Sequence, residues 1–276
     1  MTSSLSDKAI IDTTVLFDAL MLETGRGEEA RAAIRGFAEV LVPQYAIKEL
    51  KKGPLGTWKW VHNKVVVAVK WSEVMDGVAA LYWQKYKLST SLAAITAFES
   101  SFAEILRAKH GGSIPTDKYE AIKLRHGRLR LKTKIFEAWE NRYKAPLKAF
   151  WPLQCYDELG PVETAAGAID DTPVNCARDC VLRKLFSNNP TQASALEAAC
   201  RELESKDEMK RRGKVIADIL RKPGRELTTT QCKHLGDAVF AMLCPDDAVV
   251  LTTNIVDHQP LAAALSKTAI RPTDVS

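Results

Sequence analysis

Apolar residues along this chain fall into two patterns. Residues 8–16, KAIIDTTVL, open with a short apolar run that stops at Asp12 and two hydroxyl residues. Residues 248–251, AVVL, form a second such run and stop at Thr252, Thr253 and Asn254. Short continuous apolar runs predict strands buried on both faces of a sheet. Elsewhere the apolar positions recur at helical spacing. Ala30, Ala33, Ile34 and Phe37 mark a helix over 28–40, and Leu92, Ile95, Phe98, Phe102, Ile105 and Leu106 a longer one over 90–109. Further helices are predicted over 44–52, 72–86, 118–143, 175–185 and 191–220, the last as one helix or two with Gly213 as the joint. Leu235, Val239, Met242 and Leu243 predict a helix over 235–243, closed by Pro245. Residues 55–71, with three tryptophans and the β-branched run Val65–Val67, admit strand or helix. Residues 150–173 are rich in Pro and Gly and read as a loop or linker.

The strand signals lie near the two ends and the helical signals between them. The fold class expected is α/β: a parallel sheet flanked by helices, with a large, mostly helical insertion. Both ends, about 8–52 and 226–270, build one domain within 1–276, and 53–225 is the insertion, long enough to form a subdomain of its own.

Composition narrows this only a little. The 276 residues, 46% hydrophobic, suffice for a sizeable core. The net charge of +5 is unevenly spread. Residues 107–148 hold 12 Lys or Arg against 4 Asp or Glu, a net of +8 that leaves −3 for the remainder. Six cysteines in a chain of this length do not make a disulfide scaffold. The opening residues MTSSLSDK hold no apolar segment, and no run approaches the ~18 apolar residues of a spanning helix. The expectation is a cytoplasmic protein with reduced thiols and no membrane partner.

Chemistry points to the strand ends. In open α/β sheets, ligands bind at the carboxyl ends of the strands. Asp12 ends the first apolar run, Asn254 and Asp257 follow the second, and Asp237 lies in the helix before it. Glu49, on the 44–52 helix, points toward Asp12 if that helix packs on the sheet edge. Buried carboxylates repel unless protons or a cation compensate, and clustered oxygen ligands suit Mg²⁺ or Mn²⁺. Each acid also has a plainer reading: Asp12 and Asp237 as helix caps, Glu49 as a surface residue, Asp257 as a helix start and Asn254 as a turn residue.

In this order and context, these residues resemble the PIN-domain nucleases. IIDTTVL supplies the strand ending in an acid and hydroxyls, VPQYAIKEL the second acid, LGDAVFA the third, and VVLTTNIVDH the fourth region. The likeness covers about 8–52 and 231–267. Asn254 departs from it, standing where the family often has an acid, and so does the length of the helical middle.

The resemblance implies Mg²⁺- or Mn²⁺-dependent hydrolysis of phosphodiester bonds, with RNA the expected substrate and DNA the other possibility. Asp12, Glu49, Asp237 and Asp257 would be the catalytic, metal-holding acids. Thr13, Thr253 and Asn254 would support them by positioning water or phosphate. It also admits a protein inhibitor as a partner; self-association stays open. A binding scaffold that keeps the fold without catalysis, or a phosphatase acting on small substrates, would use much of the same set.

The nucleic-acid footprint expected from charge is 123–134, KLRHGRLRLKTK. Arg125, Arg128, Arg130, Lys132 and Lys134 are its phosphate-contacting candidates, with Tyr119, Phe136 and Trp139 beside them for base stacking. The alternative is a solvated helix face whose aromatic residues enter the core. KRRGK, 210–214, is a second basic candidate. Cys176 with Cys180, and Cys232 with His234, fit no familiar zinc spacing. His258 lies close enough to the acids to touch a phosphate.

Overall fold

The computed structural model describes the chain except residues 1–5, 24, 111–113, 140–146, 152, 154–160, 172–179, 204–205 and 276; at 109–110, 147–150, 161–162 and 171 it describes backbone only. In chain order the elements are β1 (Lys8–Ile11), α1 (Thr13–Met21), α2 (Arg26–Gly36), β2 (Glu39–Pro43), α3 (Gln44–Lys52), α4 (Pro54–Val67), α5 (Trp71–Ala79), α6 (Lys85–His110) and α7 (Thr116–Trp139). There follow β3 (Leu147–Phe150), β4 (Pro161–Glu163), β5 (Ile169–Asp171), α8 (Val181–Asn188), α9 (Pro190–Glu202) and α10 (Asp207–Arg221). The last elements are α11 (Thr229–Leu235), α12 (Asp237–Leu243), β6 (Val249–Leu251), α13 (Ile255–Ala264), β7 (Thr268–Ile270) and a 3₁₀ turn at Pro272–Asp274.

Five strands form one parallel sheet in the order β3-β2-β1-β6-β7. The fold is therefore α/β, a parallel sheet flanked by helices. The central strand is β1: Ile10 pairs with Leu41 on one side and Val250 on the other. Ile10, Ile11, Val250 and Leu251 are fully buried, as continuous apolar strands covered on both faces should be. Because every strand runs the same way, β1, β2 and β6 all end on one edge. Asp12, Gln44 and Thr252 follow them there.

The insertion is more closely tied to the sheet than the sequence suggests. The edge strand β3 comes from within 53–225 and pairs with β2 from Val40↔Leu147 to Pro43↔Phe150. Part of 150–173 forms the β4–β5 antiparallel pair. Residues 55–71 resolve as helix: Leu55, Trp58, Val61 and Val65 recur at helical spacing and are all fully buried. Packing against α6 and α7 overrides the β-branched run. The 118–143 helix is α7, and 140–143 lie outside the described residues; of the expected 175–185 helix, 175–179 lie outside them too and 181–185 open α8. Residues 191–220 form two helices, but Gly213 is not the joint. It lies inside α10, where a Cβ would stand 3.0 Å from that of Cys200 on α9. Among the described residues, no helix is long and apolar enough to cross a membrane.

The expected helix over 235–243 is present as α12 from Asp237, set off from α11 by Gly236 at φ +40° and ψ −122°. An L side chain is strained there, and a Cβ would also meet the Arg212 guanidinium at 3.1 Å. Gly236→Ala is expected to lower the unfolding free energy by about 1–3 kcal/mol, measured by urea denaturation; wild-type stability would show the position to be relaxed.

Candidate functional site

The site is built outward from Asp12. Its backbone N–H donates to Leu251 O at 3.1 Å, extending the β1–β6 ladder past the strand end. Its side chain caps α1, with Oδ1 accepting from Thr14 N at 2.5 Å and Oδ2 from the Thr14 hydroxyl at 2.9 Å. The Thr252 hydroxyl also donates to Oδ2. Both hydroxyls accept in turn from the loop after β6: Thr14 Oγ1 from Thr253 N at 3.2 Å, and Thr252 Oγ1 from Asn254 N at 2.9 Å. The cap reading of Asp12 is thus correct, and it coexists with a place at the centre of the site.

Asp237 opens α12 and is brought to Asp12 through His258. His258 lies in the first turn of α13, buried, with its ring against Phe240 at 5.6 Å between centroids. Nε2 stands 3.2 Å from Asp12 Oδ2 and 3.2 Å from Asp237 Oδ1. Arg212 of α10 donates to the other Asp237 oxygen at 2.8 Å. Burial opposes a charged imidazole, but the two carboxylates outweigh it and push the His258 pKa up to about 10. Burial likewise opposes the Asp237 charge, yet His258 and Arg212 hold its carboxyl well below the usual range. The repulsion expected between these buried acids is therefore offset by side chains of the chain itself.

Glu49 completes the inner group. It lies one helical turn after Tyr45 on α3, and the Tyr45 hydroxyl donates to Cys232 O at 3.1 Å. Thr13 Oγ1 donates to Glu49 Oε2 at 2.7 Å. Burial, with the charges of Asp237 and Asp12 adding, pushes the Glu49 carboxyl up to about 7 against a Thr13 hydrogen bond that lowers it. Asp257 stands further out, accepting from Asn254 Nδ2 at 2.9 Å and pairing with Lys206 Nζ at 3.0 Å. Asp12, Glu49 and Asp237 are therefore gathered at the sheet edge, with Thr13, Thr253 and Asn254 bracing them, while Asp257 sits at the rim. Among the described residues, no three His, Cys, Asp or Glu side chains stand arranged as a metal-ligand group.

Arg212 has no direct signature as a site residue in the sequence. It was visible only within the basic stretch 210–214, yet it is 2% exposed and bound to Asp237. A usable signal was there: Met209, Arg212, Ile216 and Ile219 form one buried stripe of α10. An arginine in such a stripe calls for a buried acid. Lys206 carried no signal. His258 follows Asn254 by one helical turn, which places it on the site face.

The basic run of α7 is largely engaged. Arg130 and Lys134 pair with Glu23, Lys134 at 2.9 Å. Lys132 pairs with Glu163 at 2.6 Å, and Arg128 Nε donates to Val65 O at 3.1 Å. Arg125 is exposed. Trp139 is buried, and Tyr119 packs edge-on against Phe102. These aromatic residues support the helix packing, as the plainer reading held. Cys180, Cys200, Cys232 and Cys244 are free thiols, and Cys176 lies outside the described residues.

Set against family models, curated proteins and solved structures, the chain matches none of them.

Two outcomes are expected of the site without any ligand. Asp237→Asn removes the charge that faces buried Arg212 and His258, so it should destabilise the fold by up to about 3 kcal/mol. A rise in melting temperature would instead mean that repulsion dominates.

The second outcome is a pH dependence. His258 has a folded pKa above its ordinary 6.5, so its contribution is complete below pH 6.5 and lost as pH rises through about 10. Glu49 acts in the same direction at lower pH, because its folded pKa also exceeds its ordinary 4.5. Its cost appears above pH 4.5 and is complete above about 7. Wild type should lose stability from pH 6.5 to 10 more steeply than His258→Gln; parallel denaturation curves would contradict a charged His258.

Proposed function

We propose that this chain is a PIN-like, divalent-metal-dependent nuclease that hydrolyses phosphodiester bonds, with RNA as its expected substrate. The observation that carries this reading is convergence. Asp12 after β1, Glu49 on α3 and Asp237 on α12 meet at the carboxyl edge of one parallel sheet, though they are far apart in sequence. Acids gathered at such an edge, with one carboxyl displaced upward and another downward, have the character of a reaction site.

The donor chemistry fits Mg²⁺ or Mn²⁺. The carboxylates and neighbouring hydroxyls are hard oxygen ligands. Burial above all, with the Asp237 and Asp12 charges adding, raises the Glu49 carboxyl, so a cation there would stabilise its ionised form. Asp12, Glu49 and Asp237 would hold the ion, competing with His258 for the oxygens it now contacts. Such an ion would polarise phosphoryl oxygens and lower the pKa of a bound water. The chain's own part is to fix the donors: Thr14 and Thr252 hold Asp12, Thr13 holds Glu49, and Arg212 holds Asp237. Lys206, half exposed at the rim beside Asp257, is within reach of a phosphate.

A second reading, a nucleic-acid-binding scaffold without catalysis, draws on that same saturation of Asp12, Asp237 and Asp257 by His258, Arg212 and Lys206. Cleavage assays separate the two. The nuclease reading expects Mn²⁺- or Mg²⁺-dependent cutting of RNA that EDTA stops, and a loss above about a hundredfold in Asp237→Asn, since even residues behind metal ligands cost 10–100-fold. No cutting across RNA and single-stranded DNA, together with no Mn²⁺ uptake by calorimetry, would favour the scaffold. Turnover of a generic phosphomonoester without nucleic-acid binding would point to a phosphatase.

A further inference from the structure

The end of the connection from α5 and the first turn of α6 read LYWQKYK, residues 81–87. Three of its aromatic residues face solvent: Tyr82 is 66% exposed, Trp83 88% and Tyr86 61%. A core residue is not left in this way, and exposed aromatic groups placed side by side mark a contact surface. Lys85 and Lys87 alternate with them and are also exposed. No Asp or Glu occurs between Asp76 and Glu99, so the segment itself is basic.

The strip is held in shape. Leu81 N donates to Val78 O at 3.0 Å, Tyr82 N to Ala79 O at 3.0 Å and Gln84 N to Leu81 O at 2.7 Å. The Tyr82 ring meets Trp83 edge-on, with centroids 5.1 Å apart. A restrained aromatic side chain gives up little conformational freedom when it binds.

Tyr86 also adjoins the end of the helix that carries Glu49. The Tyr86 hydroxyl lies 3.8 Å from where a side chain at Gly53 would begin, and Gly53 ends the helix that carries Glu49. Exposed Lys52 stands next to it in the chain. The Thr90 hydroxyl donates to the Tyr86 backbone carbonyl at 3.0 Å, which fixes the first turn of α6 beneath the ring.

We infer that Tyr82, Trp83 and Tyr86, with Lys85 and Lys87, form the surface on which single-stranded nucleic acid lies as it enters the acidic site. Flat aromatic faces stack on unpaired bases whatever their sequence, and interleaved lysines follow the backbone phosphates. A duplex keeps its bases stacked on one another and offers this strip only phosphates. The inference rests on the nuclease reading for the purpose of the site, and on the strip alone for binding.

The test uses the full chain in EDTA, so that binding is read without cutting. Fluorescence anisotropy with labelled single-stranded RNA and DNA of roughly 12 nucleotides should show binding, with the matched duplex weaker. Trp83→Ala and Tyr86→Ala should each weaken single-strand binding at least about fivefold, and Trp83→Phe should restore most of it. Changing Lys85 and Lys87 to Ala should flatten the log–log salt dependence by about 1.4, at ~0.7 per lost phosphate contact. These side chains are exposed, so circular dichroism should be unchanged.

The inference falls if wild type binds neither strand, or if Trp83→Ala and Tyr86→Ala bind like wild type. Wild type that self-associates through the strip without binding oligonucleotide would overturn it in the same way. The two readings fail separately. Trp83-dependent binding without metal-dependent cutting removes the nuclease and leaves the surface. Cutting with an unchanged KM in Trp83→Ala removes the surface and leaves the nuclease.

Discussion

A buried imidazole between two carboxylates is the constraint on which this sheet edge depends. His258 Nε2 lies 3.2 Å from both Asp12 and Asp237, and each acid is fixed by further donors on its own side. Two ionised carboxylates in a low-dielectric setting would drive α1 and α12 apart, or one would take up a proton. A shared cation removes both outcomes. Arg212 adds a second positive charge on the far side of Asp237. Among the described residues Glu49 pairs with no cation; it is held by the Thr13 hydroxyl, and burial is the main cause of its raised carboxyl.

This arrangement couples parts of the chain that are distant in sequence. Asp12 belongs to the first strand, His258 to the last long helix, and Arg212 to α10 of the insertion. The hydroxyls of Thr14 and Thr252 join the ends of β1 and β6 by accepting from the loop that leads into α13. Gly236 lets α11 turn sharply into α12 beneath the Arg212 guanidinium. The insertion is therefore no detachable addition: it lends the sheet an edge strand and the site a cation.

Positive charge on this protein divides by use. On α7, Arg130, Lys132 and Lys134 face acids from other segments, and such half-exposed pairs contribute little individually to stability. Their charges are at least partly spent within the molecule. Lys85 and Lys87 are solvated beside exposed rings, in a stretch without acids. A count of basic residues along the sequence favours the first group, whereas the folded surface favours the second.

Much of the fold was legible before any coordinates. The runs AII and VVL announced buried parallel strands because a strand covered on both faces has no polar alternation to keep. That Asp12, Glu49 and Asp237 would come to one sheet edge was legible because a strand end and the helices beside it share that edge in a parallel α/β sheet. Other features had no local signature. Strand β3 could not be read from its own residues, since an edge strand is defined by its neighbour. The helix over 54–67 defeated the β-branched run because its apolar face met α6 and α7. Above all, the partners of the acids were hidden. Residue type shows that Arg212 and His258 can carry charge, but only the packing of α10 and α13 against the sheet edge decides that the charge is buried and which carboxylate it meets. Sequence fixes which groups can ionise; the dielectric and the neighbours that set their state exist only once the chain has folded.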